Sequence, residues 1–88
     1  MKRSADFLLR DVAGTTVIVP VGAAVSEFPG MLTVNATGAF LWNLLEKEQT
    51  VQTLIGALLE SYEVSEEVAR ADVEAFLEKL KPTGVILL

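Results

Sequence analysis

The run LTVNATGAFLWNLL, residues 32 to 45, changes hydrophobic period with no loop between the two periods. Leu32 to Val34 reads as strand, and from Ala36 onward the apolar residues recur at helical spacing. Asn35 explains how both fit into so few residues. Asparagine is among the best N-caps, because its side-chain oxygen accepts from backbone N–H groups of the first helical turn. Strand and helix are thereby locked in one register, and any fold of this chain must set a strand end directly on a helix N-terminus.

At about 100° per residue, Ala36, Thr37, Phe40, Leu41, Leu44 and Leu45 fill one side of this helix. Gly38 and Trp42 widen that side to an arc of roughly 240°, leaving Ala39, Asn43, Glu46 and Lys47 for water. A helix so widely apolar is a central one, contacted from several directions, and Trp42 is expected to be buried in it. Gly38 costs about 1 kcal/mol relative to alanine inside a helix. Its expected purpose is to let a neighbouring backbone come close.

Upstream, residues 7 to 12 and 15 to 21 read as a hairpin about Ala13-Gly14. In its second arm Thr16, Ile18 and Pro20 alternate with Val17, Val19 and Val21, so the valines are expected to form the apolar face. Pro20 suits a strand end or an edge. Residues 23 to 28 are an optional short strand before the Pro29-Gly30 turn, and Met31, Leu32, Thr33 and Val34 form the strand that meets Asn35. Downstream, Thr50 caps a helix whose stripe is Val51, Leu54, Ile55, Leu58, Leu59 and Tyr62. Ser65 caps a third, with Glu66 and Glu67 in the dipole-favoured first turn. Its stripe is Ala69, Val73, Phe76, Leu77 and Leu80, and Pro82 with Gly84 ends it. Val85 to Leu88 is a last apolar tail, a short strand or a cover for the core. The expected fold is α+β: a small antiparallel sheet of three or four strands, then three helices on one face of it, an order that also describes a winged helix-turn-helix.

The chain has 88 residues, enough for one small domain over residues 1–88, so all these apolar faces must meet in one core. A hydrophobic share of 51% points either to surplus apolar surface, which marks a partner site, or to a well-packed core. Charged residues interrupt every run well before the roughly 20 residues a bilayer span needs, so no membrane association is expected. The start MKRSADFLLRD is basic but has no signal-peptide core before Arg10 and Asp11, which implies a cytoplasmic chain. In that setting Asn35-Ala36-Thr37 matches the glycosylation pattern without consequence.

Absence of cysteine and histidine removes disulfides, thiol nucleophiles, the commonest zinc ligands and the usual neutral-pH base. The acids Glu60, Glu63, Glu66, Glu67, Glu74 and Glu78 sit singly on solvated helix faces, and the glycines have no phosphate-loop spacing. No catalysis, metal or cofactor is expected. A DNA-binding winged-helix regulator is the alternative reading of the element order. It would need base-reading and phosphate-contacting side chains, whereas the net charge is −5 and the seven lysines and arginines are scattered. Nucleic acid is therefore not the expected partner.

What remains is a binding module, and three stretches carry a resemblance. LRDVAGTTVIVPVG, then FPGMLTVNATGAFLWNLLEKEQTV, then LLESYEVSEEVARADVEAFLEKLKPTGV together resemble the family of pyrroloquinoline quinone biosynthesis protein D over nearly the whole chain. The most specific piece is the junction V-N-A-T-G-A-F-L-W-N-L-L. Val34 stands where leucine is common, and Glu46-Lys47-Glu48 replaces a frequent Asp-Gly turn. The resemblance implies a non-catalytic peptide-recognition domain, monomeric or weakly dimeric, that works beside a maturase such as a radical SAM enzyme. It further implies that Met31, Leu32, Thr33 and Val34 form an edge strand on which the leader of a precursor peptide pairs, beside a groove along the helix of residues 68 to 80. An open edge supports such pairing by strand addition. Val73, Leu77 and Leu80 are expected on the groove floor, with Arg70 or Lys81 meeting acidic leader residues.

Overall fold

The computed structural model describes residues 1–27 and 30–87. Along the chain run β1 (Lys2–Arg3), β2 (Phe7–Val12), β3 (Thr15–Pro20), the single-turn helix α1 (Ala24–Glu27), β4 (Leu32–Thr33), α2 (Ala36–Leu44), α3 (Val51–Ser61) and α4 (Glu66–Leu80). A 3₁₀ turn (Lys81–Thr83) and β5 (Ile86–Leu87) follow. β2, β3 and β4 form an antiparallel sheet with β3 in the centre, and β1 pairs antiparallel with β5 in a second, two-stranded sheet. The arrangement is α+β and winged helix-turn-helix-like.

The β2–β3 hairpin closes through the pair Val12 and Thr15. Between them Ala13 and Gly14 both take positive φ, 53° and 84°, the backbone of a two-residue turn whose twist matches the strands. Leu9 lies opposite Ile18, and Ile18 opposite Leu32. Residues directly opposite share a face, and Phe7, Ile18 and Val34 are buried in the core with Leu9 and Leu32 packed against them. The face toward the helices is thus the one carrying Thr16, Ile18 and Pro20, while Val17 on the opposite face is also buried. Both faces are therefore apolar at the centre of β3, which corrects the expectation of a single apolar face of valines. Valine and isoleucine serve a strand equally well, so the alternation leaves open which side meets the helices.

Residues 23 to 28 do not extend the sheet. Val21 N–H closes the hairpin on the Asp6 carbonyl at 2.8 Å, and Gly22, at φ 61°, turns the chain out of the extended conformation. α1 follows, with Ala24 in the core. Phe28 and Pro29 lie outside the described residues.

All three helix starts rest on the expected caps. Asn35 Oδ1 accepts from Gly38 N–H at 2.8 Å, Thr50 Oγ1 from Thr53 N–H at 3.1 Å, and Ser65 Oγ from Val68 N–H at 3.2 Å. α2 is central: Leu41, Trp42 and Leu45 have no exposed surface. Its buried side is centred on Gly38, Leu41, Trp42 and Leu45, whereas Ala36 is exposed and Phe40 and Leu44 half-buried. The arc is as wide as expected, with its centre shifted toward Gly38 and Trp42. On α3, Leu54, Ile55 and Leu58 are buried while Leu59 and Tyr62 reach the surface. There Tyr62 meets Phe40 edge to face at 5.4 Å, a favoured aromatic geometry. α4 packs against both α3 and α2, burying the whole of its expected stripe.

The chain's two ends close this core. Arg3 N–H donates to the Leu45 carbonyl at 2.9 Å and Ser4 N–H to that of Val85 at 2.8 Å. The Arg3 guanidinium donates to the Trp42 carbonyl at 3.3 Å and lies 5.7 Å from the Trp42 ring centroid, so one cation satisfies a carbonyl in the last turn of α2 and also meets an aromatic face. Val85 and Ile86 are buried and β5 is paired, so the apolar tail is both strand and cover. Leu88 lies outside the described residues. Among the described residues no helix is long and apolar enough to cross a membrane.

Candidate functional site

Asn35 brings β4 straight into α2, and α4 packs across that junction. The result is a groove of about 180 Å³ whose walls include Val34 and Gly38 on one side and Asp72, Ala75, Phe76 and Lys79 of α4 on the other. A cavity of about 150 Å³ accepts a benzene-sized group, so this space is large enough for one aromatic or branched side chain.

β4 is an edge, with β3 on one side and no strand on the other among the described residues. Its register fixes which backbone groups are free. Val34 N–H donates to the Thr16 carbonyl at 3.0 Å, while Thr33 lies opposite Val17. Bonded and non-bonded pairs alternate in an antiparallel ladder. Thr33 therefore turns its N–H and C=O away from β3, toward the open edge. Across that edge the Lys79 ammonium donates to the Thr33 carbonyl.

Of the expected strand, Met31 precedes β4 and is exposed, Leu32 is half-buried on the core, Thr33 is exposed, and Val34 is buried and lines the groove. Val73, Leu77 and Leu80 are 0%, 3% and 0% exposed and belong to the core cluster. The groove is bordered by the adjacent face of α4, where Asp72, Ala75, Phe76 and Lys79 follow at i, i+3, i+4 and i+7. Phe76 serves both, as a core residue and a groove wall. Arg70 lies roughly 200° around α4 from Asp72 and pairs with Glu66 at 3.3 Å. Lys81 is exposed in the 3₁₀ turn, two residues beyond Lys79. Neither borders the groove.

The groove residues that the sequence does not single out are Asp72, Ala75 and Lys79. On a helix wheel they read as the solvated margin of an amphipathic helix. Only the position of β4 beside them turns that margin into a wall. Lys79 has one readable signal: Ala75, Phe76, Pro82 and Thr83 occupy its i−4, i−3, i+3 and i+4 positions, so it has no helical ion-pair partner. Arg70 does have one.

A search of curated proteins finds no match. Two solved structures share the fold, each at 20% identity and a TM-score of 0.71. One is TbiB1 in complex with the TbiA(beta) leader peptide, with 97% of this chain and 93% of that chain covered. The other is lasso peptide synthetase B1 complexed with the leader peptide, with 99% and 96% covered. Residues 15–86 match the model of the family described as coenzyme PQQ synthesis protein D. That match takes in β3, the strand-to-helix junction and α2 to α4, and the chain belongs to the PqqD family.

Proposed function

We propose that this chain, as a single non-catalytic recognition domain, captures the leader segment of a ribosomally made precursor peptide and presents it to a modifying enzyme, such as a radical SAM maturase, in the cytoplasm. The leader adds as a strand to the free edge of β4, and its side chains enter the groove against α4. The observation that carries this reading is Thr33, whose N–H and C=O face away from β3 at an edge with no further strand among the described residues, beside a groove walled in part by Val34, Ala75 and Phe76. The family, and the leader peptides held by the two structural relatives, support the same reading.

Energetics require both parts of the site. A few added backbone hydrogen bonds at about 1 kcal/mol each do not outweigh an association cost of roughly 4 kcal/mol or more. A leader Leu or Phe buried in the groove adds about 1.5–3 kcal/mol, so the edge and the groove must act together, with more than one side-chain anchor, for the complex to form. The opposite edge of the sheet is a poorer acceptor, because β2 presents exposed Arg10 and Asp11, charges of the kind that discourage edge pairing.

Fluorescence polarisation of a labelled leader, taken from any short open reading frame found beside this chain's gene, tests the reading. The expected result is saturable binding that an unlabelled copy competes away. No binding at high micromolar protein contradicts it. Bound duplex DNA in the same assay, lost as salt rises, would favour the winged-helix regulator instead.

A further inference from the structure

In the free protein the open edge is not bare. Lys79 reaches across from α4 and places its ammonium on the outward carbonyl of Thr33, the acceptor that an added strand's N–H would use. That carbonyl is the partner the structure gives Lys79 among the described residues. A strand that pairs with Thr33 brings its own N–H to the same outward carbonyl and competes with this contact. The displaced ammonium then stands at the rim of the groove, against whatever side chain the new strand directs there.

We propose that Lys79 is a specificity-determining residue for the added strand: it holds the Thr33 carbonyl in the free protein and passes to a carboxylate of the peptide when the peptide's own N–H takes that carbonyl. This rests on the strand-addition reading and adds the chemistry of the ligand. In an added strand the residues flanking the one opposite Thr33 point to the face of Leu32 and Val34, the face of the groove. Those two positions are two residues apart. One suits an apolar side chain against Ala75 and Phe76, and the other an Asp or Glu facing Lys79. Asp72, the other charged groove residue, lies seven positions from Lys79, roughly 10 Å along the helix. Its repulsion at that distance is largely screened at physiological salt. It still disfavours the reversed placement, with the acid at the Asp72 end, so the two charges set the direction of the strand.

The test is a displayed library of random dodecapeptides selected on the full chain and on Lys79→Met. The best wild-type binder and its Glu→Gln form are then titrated against wild type, Lys79→Met and Lys79→Arg. Lys79 is exposed, so these variants keep the fold. Wild-type selections are expected to carry Asp or Glu two residues from an apolar residue. Glu→Gln should weaken binding about two- to five-fold, the range of an exposed ion pair, on wild type and Lys79→Arg but not on Lys79→Met. Selections without acid preference, or an equal Glu→Gln loss on Lys79→Met, overturn the role of Lys79 and leave strand addition standing. If no selected peptide shifts the Thr33 amide resonance, strand addition falls, and the role of Lys79 with it.

Discussion

Gly38 and Phe76 meet across the groove so closely that a Cβ on the glycine would lie 3.5 Å from Phe76 Cδ1. The same Cβ would stand 3.2 Å from Val34 Cβ and 3.3 Å from Asn35 Oδ1, the capping oxygen. The glycine thus makes room for side chains and for its own helix cap, which corrects the expectation that a neighbouring backbone approaches it.

Gly38→Ala sets two effects against each other. Alanine favours the helix by about 1 kcal/mol, while the tight contacts on Val34 and Asn35 take back a similar amount. Stability should stay within about 1 kcal/mol of wild type by urea denaturation. Peptide affinity should fall clearly, because the new methyl group enters the groove. Unchanged affinity would place the peptide elsewhere.

Trp42 lies fully buried in α2 under the Arg3 guanidinium. Trp42→Ala should cost about 3–5 kcal/mol, a large part of the stability of so small a domain. Chemical denaturation followed by circular dichroism measures this directly. A midpoint near wild type would contradict this packing.

Ala13 holds φ 53° in the hairpin turn, a region that disfavours side chains other than those of Asn and Asp. Asn-Gly is the preferred dipeptide for this turn. Ala13→Asn should therefore stabilise the chain by about 0.5–1 kcal/mol, roughly 3–6 °C in Tm for a domain of this size. Calorimetry showing an unchanged or lower Tm would argue against the turn geometry.

Features coded by neighbouring residues were legible in the sequence. Asn35, Thr50 and Ser65 announce their helices because an N-cap is a contact within one turn, and the core stripe of α4 follows from its own period. Features that depend on the sheet's placement were not. Ile18 rather than Val17 faces the helices because of where α2 and α4 pack, and α1 exists because Gly22 turns the chain at the end of β3. The groove shows the same divide. Thr33 could be placed on an edge strand, while the α4 face opposite it, with Phe76 and Lys79 instead of Leu77 and Arg70, depends on the angle at which the helix crosses that edge.

The most direct measurement is amide exchange and chemical shift by NMR on the full chain, with and without the leader peptide, for wild type and Thr33→Pro. Proline removes only an N–H that faces away from β3, in a strand whose preceding residue is already extended, so the variant should fold. The expected result is protection of the Thr33 amide on binding, with shifts along β4 and at Asp72, Phe76 and Lys79, and loss of binding in Thr33→Pro. Shifts confined to other surfaces, such as that around Arg70 and Lys81, or wild-type affinity in folded Thr33→Pro, would contradict strand addition on β4.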